Sequence, residues 1–233
     1  MSVTRSVAGL LACLWLVPVA VEAQPRIHDW PGRIEVVAAG VRSSGHHLGS
    51  ATADLLSNQV PRSSPTPLFT ANTELRPSVA VDVSVGYRLT RTFTVEGFIA
   101  RSRPVVETTV TNDLELTVGG SARESLTQYR LGGGVVLDLP AVSFVGGRAR
   151  PFVVGGAGYL REDSSGGTSS STGTVYHLGA GIRVHLIERA NARILKVLGV
   201  KGDVRVHRRD GGFEFEDRRR TFVTASVGLL VVL

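Results

Sequence analysis

Few residues in this chain are placed to do chemistry. Its six histidines include an adjacent pair, His46-His47, and three that stand apart, His177, His185 and His207. A hydrolase needs a serine beside a histidine, with an acid to orient the ring, on a surface that meets the substrate. His177, His185 and His207 all fall on the polar face of alternating segments, and no His-x-Ser pair occurs on any of them. They read as members of a charge network, so no catalytic residue is assigned. Adjacent histidines cannot both face one ion unaided. His46-His47 has no third ligand at helical or strand spacing, so it reads as loop and no metal is assigned. The glycine runs Gly132-Gly133-Gly134 and Gly155-Gly156 lack the Gly-Lys-Ser/Thr that completes a phosphate cradle. Within strands they relieve crowding and permit curvature, and no cofactor is expected.

The elements that would position these residues begin after residue 23. Arg5 supplies a positive start, Val7 to Ala20 is almost wholly apolar, and Val21-Glu22-Ala23 offers the small residues of a cleavage site. Residues 1–23 read as a secretory signal cut before Gln24. The run is short for a bilayer helix and Pro18 interrupts it. Leu10-Leu11-Ala12-Cys13 faintly resembles a lipoprotein signal, but the apolar stretch continues past the cysteine. Cys13 is the single cysteine, so a mature chain without the signal holds no disulfide. At 42% hydrophobic and 20% charged, the rest is neither disordered by composition nor a helical membrane protein. No later stretch approaches 18 consecutive apolar residues, so a soluble exported domain and a membrane β-barrel remain. The net charge of +6 belongs to the mature part. Nucleic acid is not an expected partner of an exported protein; an anionic lipid surface is.

The organising signal is strict alternation over about ten residues, the length of a tilted membrane strand. From Val79 to Leu89 the odd positions are Val, Val, Val, Val, Tyr and Leu, and between them stand Ala80, Asp82, Ser84, Gly86 and Arg88. Tyr176 to Leu186 and Leu198 to His207 repeat the pattern. Phe93 to Ala100, Thr127 to Leu139 and Val223 to Leu233 follow it more weakly. Ile34 to Val41 and Pro151 to Leu160 alternate poorly and are assigned by spacing and glycine content. That gives eight strands, the even number a closed bacterial barrel requires. Short connections (90–92, 140–150, 187–194) alternate with longer polar ones (42–78, 101–126, 161–174, 208–221), and 163–173 reads as a mobile polar loop. Short turns on one side and long loops on the other would put both termini in the periplasm.

A soluble barrel turns its apolar face inward, and a membrane barrel inverts this. The polar face carries Glu35, Asp82, Glu96, Asp138 and Asp203 together with Arg88, Arg130, Arg183, Lys201 and Arg205. Five acids and five bases can pair within a narrow lumen, which makes buried charge tolerable. Tyr87 and Phe93 flank a short turn, and Tyr129, Tyr159 and Tyr176 lie near the long-loop ends, as aromatic girdles do.

PFVVGGAGYL (151–160), HLGAGIRVHL (177–186), LGVKGDVRVHR (198–208) and TASVGLLVVL (224–233), in this order and spacing, resemble the OmpA/OmpX-like outer-membrane β-barrel family. The last segment resembles the family's carboxy-terminal insertion signal, with Leu233 where an aromatic usually stands. The resemblance implies an all-β, eight-stranded antiparallel transmembrane barrel over 32–233, preceded by a periplasmic lead at 24–31, in the bacterial outer membrane. It implies a solvated but plugged lumen and assigns no single function. The expected role is non-enzymatic and structural or surface-interacting, as a monomer, with any ligand met by loops 42–78 and 101–126. Lipid and lipopolysaccharide are the expected partners. Arg218-Arg219-Arg220, with Arg208 and Arg209, could meet lipopolysaccharide phosphates, although Glu214, Glu216 and Asp217 lie beside them. The alternatives are a lipid-modifying outer-membrane enzyme and a soluble periplasmic barrel that binds an apolar ligand.

Overall fold

The computed structural model of the chain describes residues 31–55, 66–111, 120–142, 144–165, 169–189, 195–211 and 220–233. The signal segment (1–23) and residues 24–30 of the lead lie outside the described residues.

Eleven strands are described: β1 (Ile34–Ser43), β2 (His46–Leu55), β3 (Thr66–Leu75), β4 (Ser78–Arg88), β5 (Phe93–Ser102), β6 (Val105–Thr111), β7 (Ser121–Asp138), β8 (Ala149–Ser164), β9 (Ser170–Glu188), β10 (Val197–Gly211) and β11 (Arg220–Val232). Eight of them close a barrel in the order β1-β4-β5-β7-β8-β9-β10-β11, every neighbour antiparallel, with β11 returning to β1. These are the eight segments expected from alternation and spacing. The two that alternate poorly, at 34–41 and 151–160, are strands as well.

The expectation that 42–78 and 101–126 are loops is corrected. β2, β3, β6 and the upper part of β7 form a sheet of their own, in the order β2-β3-β6-β7, that continues the barrel wall past its rim. The barrel strands β1, β4 and β5 join this extension almost directly, through Ser44-Gly45, Arg76-Pro77 and Arg103-Pro104. Both faces of the extension are largely exposed toward its tip. A ladder without a buried face needs no apolar period, so alternation vanishes while the hydrogen bonds continue. The segment 163–173 is corrected likewise: β8 reaches Ser164, and β9 starts at Ser170 and already pairs Gly173 with Gly211.

Side-chain parity sorts the barrel into two faces. Val79, Val81, Val83, Val85 and Tyr87 of β4 are exposed outward, while Ala80, Ser84 and Arg88 are buried inside. Leu178, 69% exposed, alternates with His177, 5% exposed. Among the described residues, outward positions of the eight strands carry no charge between Glu188 at the short-turn end and Arg42, Arg101, Arg161 and Arg208 at the long-loop end. An uncharged outward band above a charged interior is the inverted arrangement that a bilayer demands.

Glycine makes room inside. On β7 and β8, Gly132 pairs with Gly158 and Gly134 with Gly156, all turned inward. A methyl group at Gly132 would lie 2.5 Å from the Ala157 carbonyl oxygen and 2.7 Å from the ring tip of Phe98. The bare backbone of this wall is therefore the space that Phe98 and His177 occupy.

Candidate functional site: the charged lumen and its rim

At the short-turn end, four buried side chains close a ring. Arg88 donates to Glu35 at 2.5 Å and to Asp138 at 2.8 Å. Arg183, 1% exposed, reaches the same two carboxylates at 3.3 and 3.0 Å. Each acid thus serves two guanidiniums, the bridging that offsets desolvation. The strand termini that place them (β1, β4 and β7, with β9 passing alongside) meet only because the barrel closes. Val37, Val197, Leu230 and Val232 pack as one apolar cluster and Val136, Phe152 and Val154 as another.

Midway along the lumen, Lys201 donates to Glu96 at 2.5 Å. Arg205 grips Asp203 through two bonds of 2.9 and 3.2 Å and also touches Glu96 at 3.3 Å. The Phe152 ring has Arg183 5.1 Å and Lys201 5.2 Å from its centroid, a cation–π arrangement at each. Eight of the ten charges expected inside are therefore joined in ion pairs. The other two, Asp82 and Arg130, face a common cavity of about 30 Å³ that is partly open to solvent. Neither side chain makes a hydrogen bond or ion pair with a described residue.

Toward the long-loop end the contents change to rings. His46 stacks on Phe222 at 5.4 Å, Phe222 on His207 at 4.8 Å, and His207 leans on His177 at 5.7 Å, which meets Phe98 edge-on at 5.4 Å. His207 shares a 2.9 Å hydrogen bond with the Thr224 hydroxyl. Above this column Arg209 grips Glu162 at 2.8 and 2.5 Å, and Gln128 links Glu162 to Ser102. Leu48, Leu75 and Leu126, backed by Val106, form an apolar cluster at the base of the extension, and Arg220 donates to the Leu48 carbonyl at 2.9 Å.

His177, His185 and His207 lie inside as expected. His46 leaves the loop reading for a place in the ring column, while His47 is exposed. Burial, with Arg209 and Arg220 nearby, pushes His46 down to about 4. The basic cluster divides. Arg208 faces outward, but Arg209 turns into the lumen, because it shares parity with His207; Arg218 and Arg219 lie outside the described residues. Glu162 and Arg209 are the pair the sequence reading missed, although Glu162 shares the parity of buried Leu160. In the extension, Glu74 stands opposite Glu107. Arg76 binds both and Arg123 binds Glu107 at 3.0 Å. Hydrogen bonds from Arg76 and Arg123 hold the Glu107 carboxyl below the usual range.

No protein-family model matches this chain, and neither does any curated protein. Solved structures do. Neisserial surface protein A aligns over 87% of this chain and 98% of its own, with 13% identity and a TM-score of 0.50. The attachment invasion locus protein of Yersinia pestis covers 88% of this chain and 100% of its own at 12% identity, TM-score 0.42. Outer membrane protein OprG of Pseudomonas aeruginosa covers 87% and 96% at 10% identity, TM-score 0.43. Closed antiparallel eight-strand order, an outward apolar band and ion pairs within converge with the first of these likenesses: this chain has the fold of an eight-stranded outer-membrane β-barrel, with its two faces oriented as a bilayer demands.

Proposed function

We propose that this chain is a monomeric, non-enzymatic barrel of the bacterial cell surface, with a plugged lumen and with its specificity in the extension built from β2, β3, β6 and upper β7. The filling of the lumen carries this reading. The four-residue ring at one end, the Lys201–Glu96–Arg205–Asp203 group in the middle and the Arg209–Glu162 pair near the mouth leave room for side chains and little else. Ions crossing such a lumen would have to displace charge-assisted bonds, so wide diffusion is disfavoured. His46, His177 and His207 support a structural role, since they meet aromatic rings, one another and the Thr224 hydroxyl rather than an acyl-facing serine. Lipid is the partner of the apolar band, and the extension is the surface offered to a macromolecule.

The test combines location with topology. The protein should fractionate with outer membranes, resist carbonate extraction and migrate differently on gels with and without boiling. A cysteine introduced at Ala51 or Thr109, both exposed in the extension, should react with an impermeant maleimide on intact cells. Release as a soluble periplasmic protein would overturn the reading. Lipid deacylation by the purified barrel would establish an enzyme instead.

A further inference from the structure

Two outward arginines flank one tyrosine at the long-loop rim. Arg101 of β5 is the register partner of Tyr129 of β7, and Tyr129 is the partner of Arg161 of β8. One step closer to mid-membrane the same three strands present Ile99, Leu131 and Tyr159, all exposed outward. The change from apolar to cationic takes two residues, about 7 Å along a strand. This row therefore sits where hydrocarbon gives way to lipid headgroups.

The three side chains are held open toward that level. The Arg101 guanidinium lies over the Tyr129 ring, 5.6 Å from its centroid. Arg161 gives its Nε to Asp163 at 3.1 Å, with more than half of its side chain exposed. Its Nη groups make no hydrogen bond with a described residue. Cross-strand neighbours stand about 5 Å apart, so Arg101 and Arg161 leave their strands about 10 Å apart, with Tyr129 on the strand between them. With Arg103, exposed just past the end of β5, the patch carries three positive charges against the single carboxylate of Asp163. Elsewhere on the rim, Arg42 pairs in register with Val79 and Ala225, and Arg208 with Tyr176 and Thr221, so neither has a second arginine in its row.

We propose that Arg101, Tyr129 and Arg161 form a clamp for the phosphate of an outer-leaflet lipid. Planar guanidinium forks match a phosphomonoester through paired charge-assisted bonds, and here two guanidiniums stand in one row at headgroup depth. The acyl chains of the same lipid would lie along Ile99, Leu131 and Tyr159 below. The inference rests on the membrane-barrel reading.

The probe is bis-phosphorylated lipid A, titrated onto the full-length mature barrel in nonionic detergent and read by native mass spectrometry. Binding should weaken about ten-fold or more in R101Q/R161Q, as expected on losing two charge-assisted pairs. R208Q should bind as the native protein does, and dephosphorylated lipid A should bind the native barrel as weakly as the phosphorylated form binds the double variant. R101K/R161K, which keeps charge without the fork, should fall between and replaces the glutamine variant if that one fails to fold. Unchanged affinity in the double variant would overturn the clamp, as would full displacement by millimolar inorganic phosphate, which would mark a free-anion site. A barrel that folds and partitions into membranes yet shows either result loses only the clamp. One that never enters membranes loses the parent reading.

Discussion

Gly132 and Gly158 are register partners on β7 and β8, and the ring of Phe98 lies where their side chains would be. A glycine on the adjoining strand β5 has no such task. Gly132→Ala should destabilise the barrel by about 1–3 kcal/mol through forced displacement of backbone and ring. At Gly97, which points outward, an added methyl meets nothing closer than 3.9 Å. Gly97→Ala should leave the unfolding midpoint in urea almost unchanged, whereas Gly132→Ala lowers it.

The outward band makes its own demand. Val81→Arg, at a site 66% exposed to lipid, should cost about 2–4 kcal/mol if it lies near the bilayer centre. Ile182→Arg should behave alike, and Ala80→Ser, inside the barrel, should cost little. Equilibrium folding into vesicles measures all three. Tolerance at 81 and 182 would mean that the faces are reversed.

The four-residue ring should respond to the loss of one member more than to the loss of a pair. Arg183→Met leaves Glu35 and Asp138 with one guanidinium between them and should cost about 3–5 kcal/mol. Adding Glu35→Gln should recover part of that loss, because the remaining Arg88–Asp138 pair is balanced. A double-mutant cycle by urea titration separates the coupling from the two single costs.

How far this architecture can be read from the residues differs by region. Val79 to Leu89 declares itself because lipid on one side and the lumen on the other impose opposite chemistry on alternate residues. Parity alone also places Asp138, Arg183 and Lys201 inside. Which acid meets which base depends on register around a closed ring, and nothing local specifies that Arg88 of β4 finds Asp138 of β7. The extension was illegible for a different reason. Thr70 and Asn72 pair with Thr111 and Thr109, but toward the tip both faces meet water and their order carries no period. Arg209 had a signal, its shared parity with His207, hidden by the charged run around it.

Acid should loosen the mouth. His46 is held neutral against Phe222, and burial lowers its pKa from 6.5 to about 4. The unfolded chain therefore binds the proton first, so the contribution of docked His46 is full above about pH 6.5 and declines as the pH falls toward 4. Limited proteolysis of the β2–β3 hairpin should accelerate across that window. His46→Phe, which keeps the stack and removes the proton, should flatten the profile.

The seam between β1 and β11 joins Glu35 to Val232, residues from opposite ends of the barrel sequence. No partial chain emerging from synthesis or export can complete the cylinder. Until the last strand arrives, β1 offers an open edge on one side and β11 does not yet exist to cover it, while the lumenal arginines wait for acids many strands away. Assembly is thus governed by the slowest, most distant pairing. Whatever escorts the chain across the periplasm must shield an incomplete sheet for the whole of that interval.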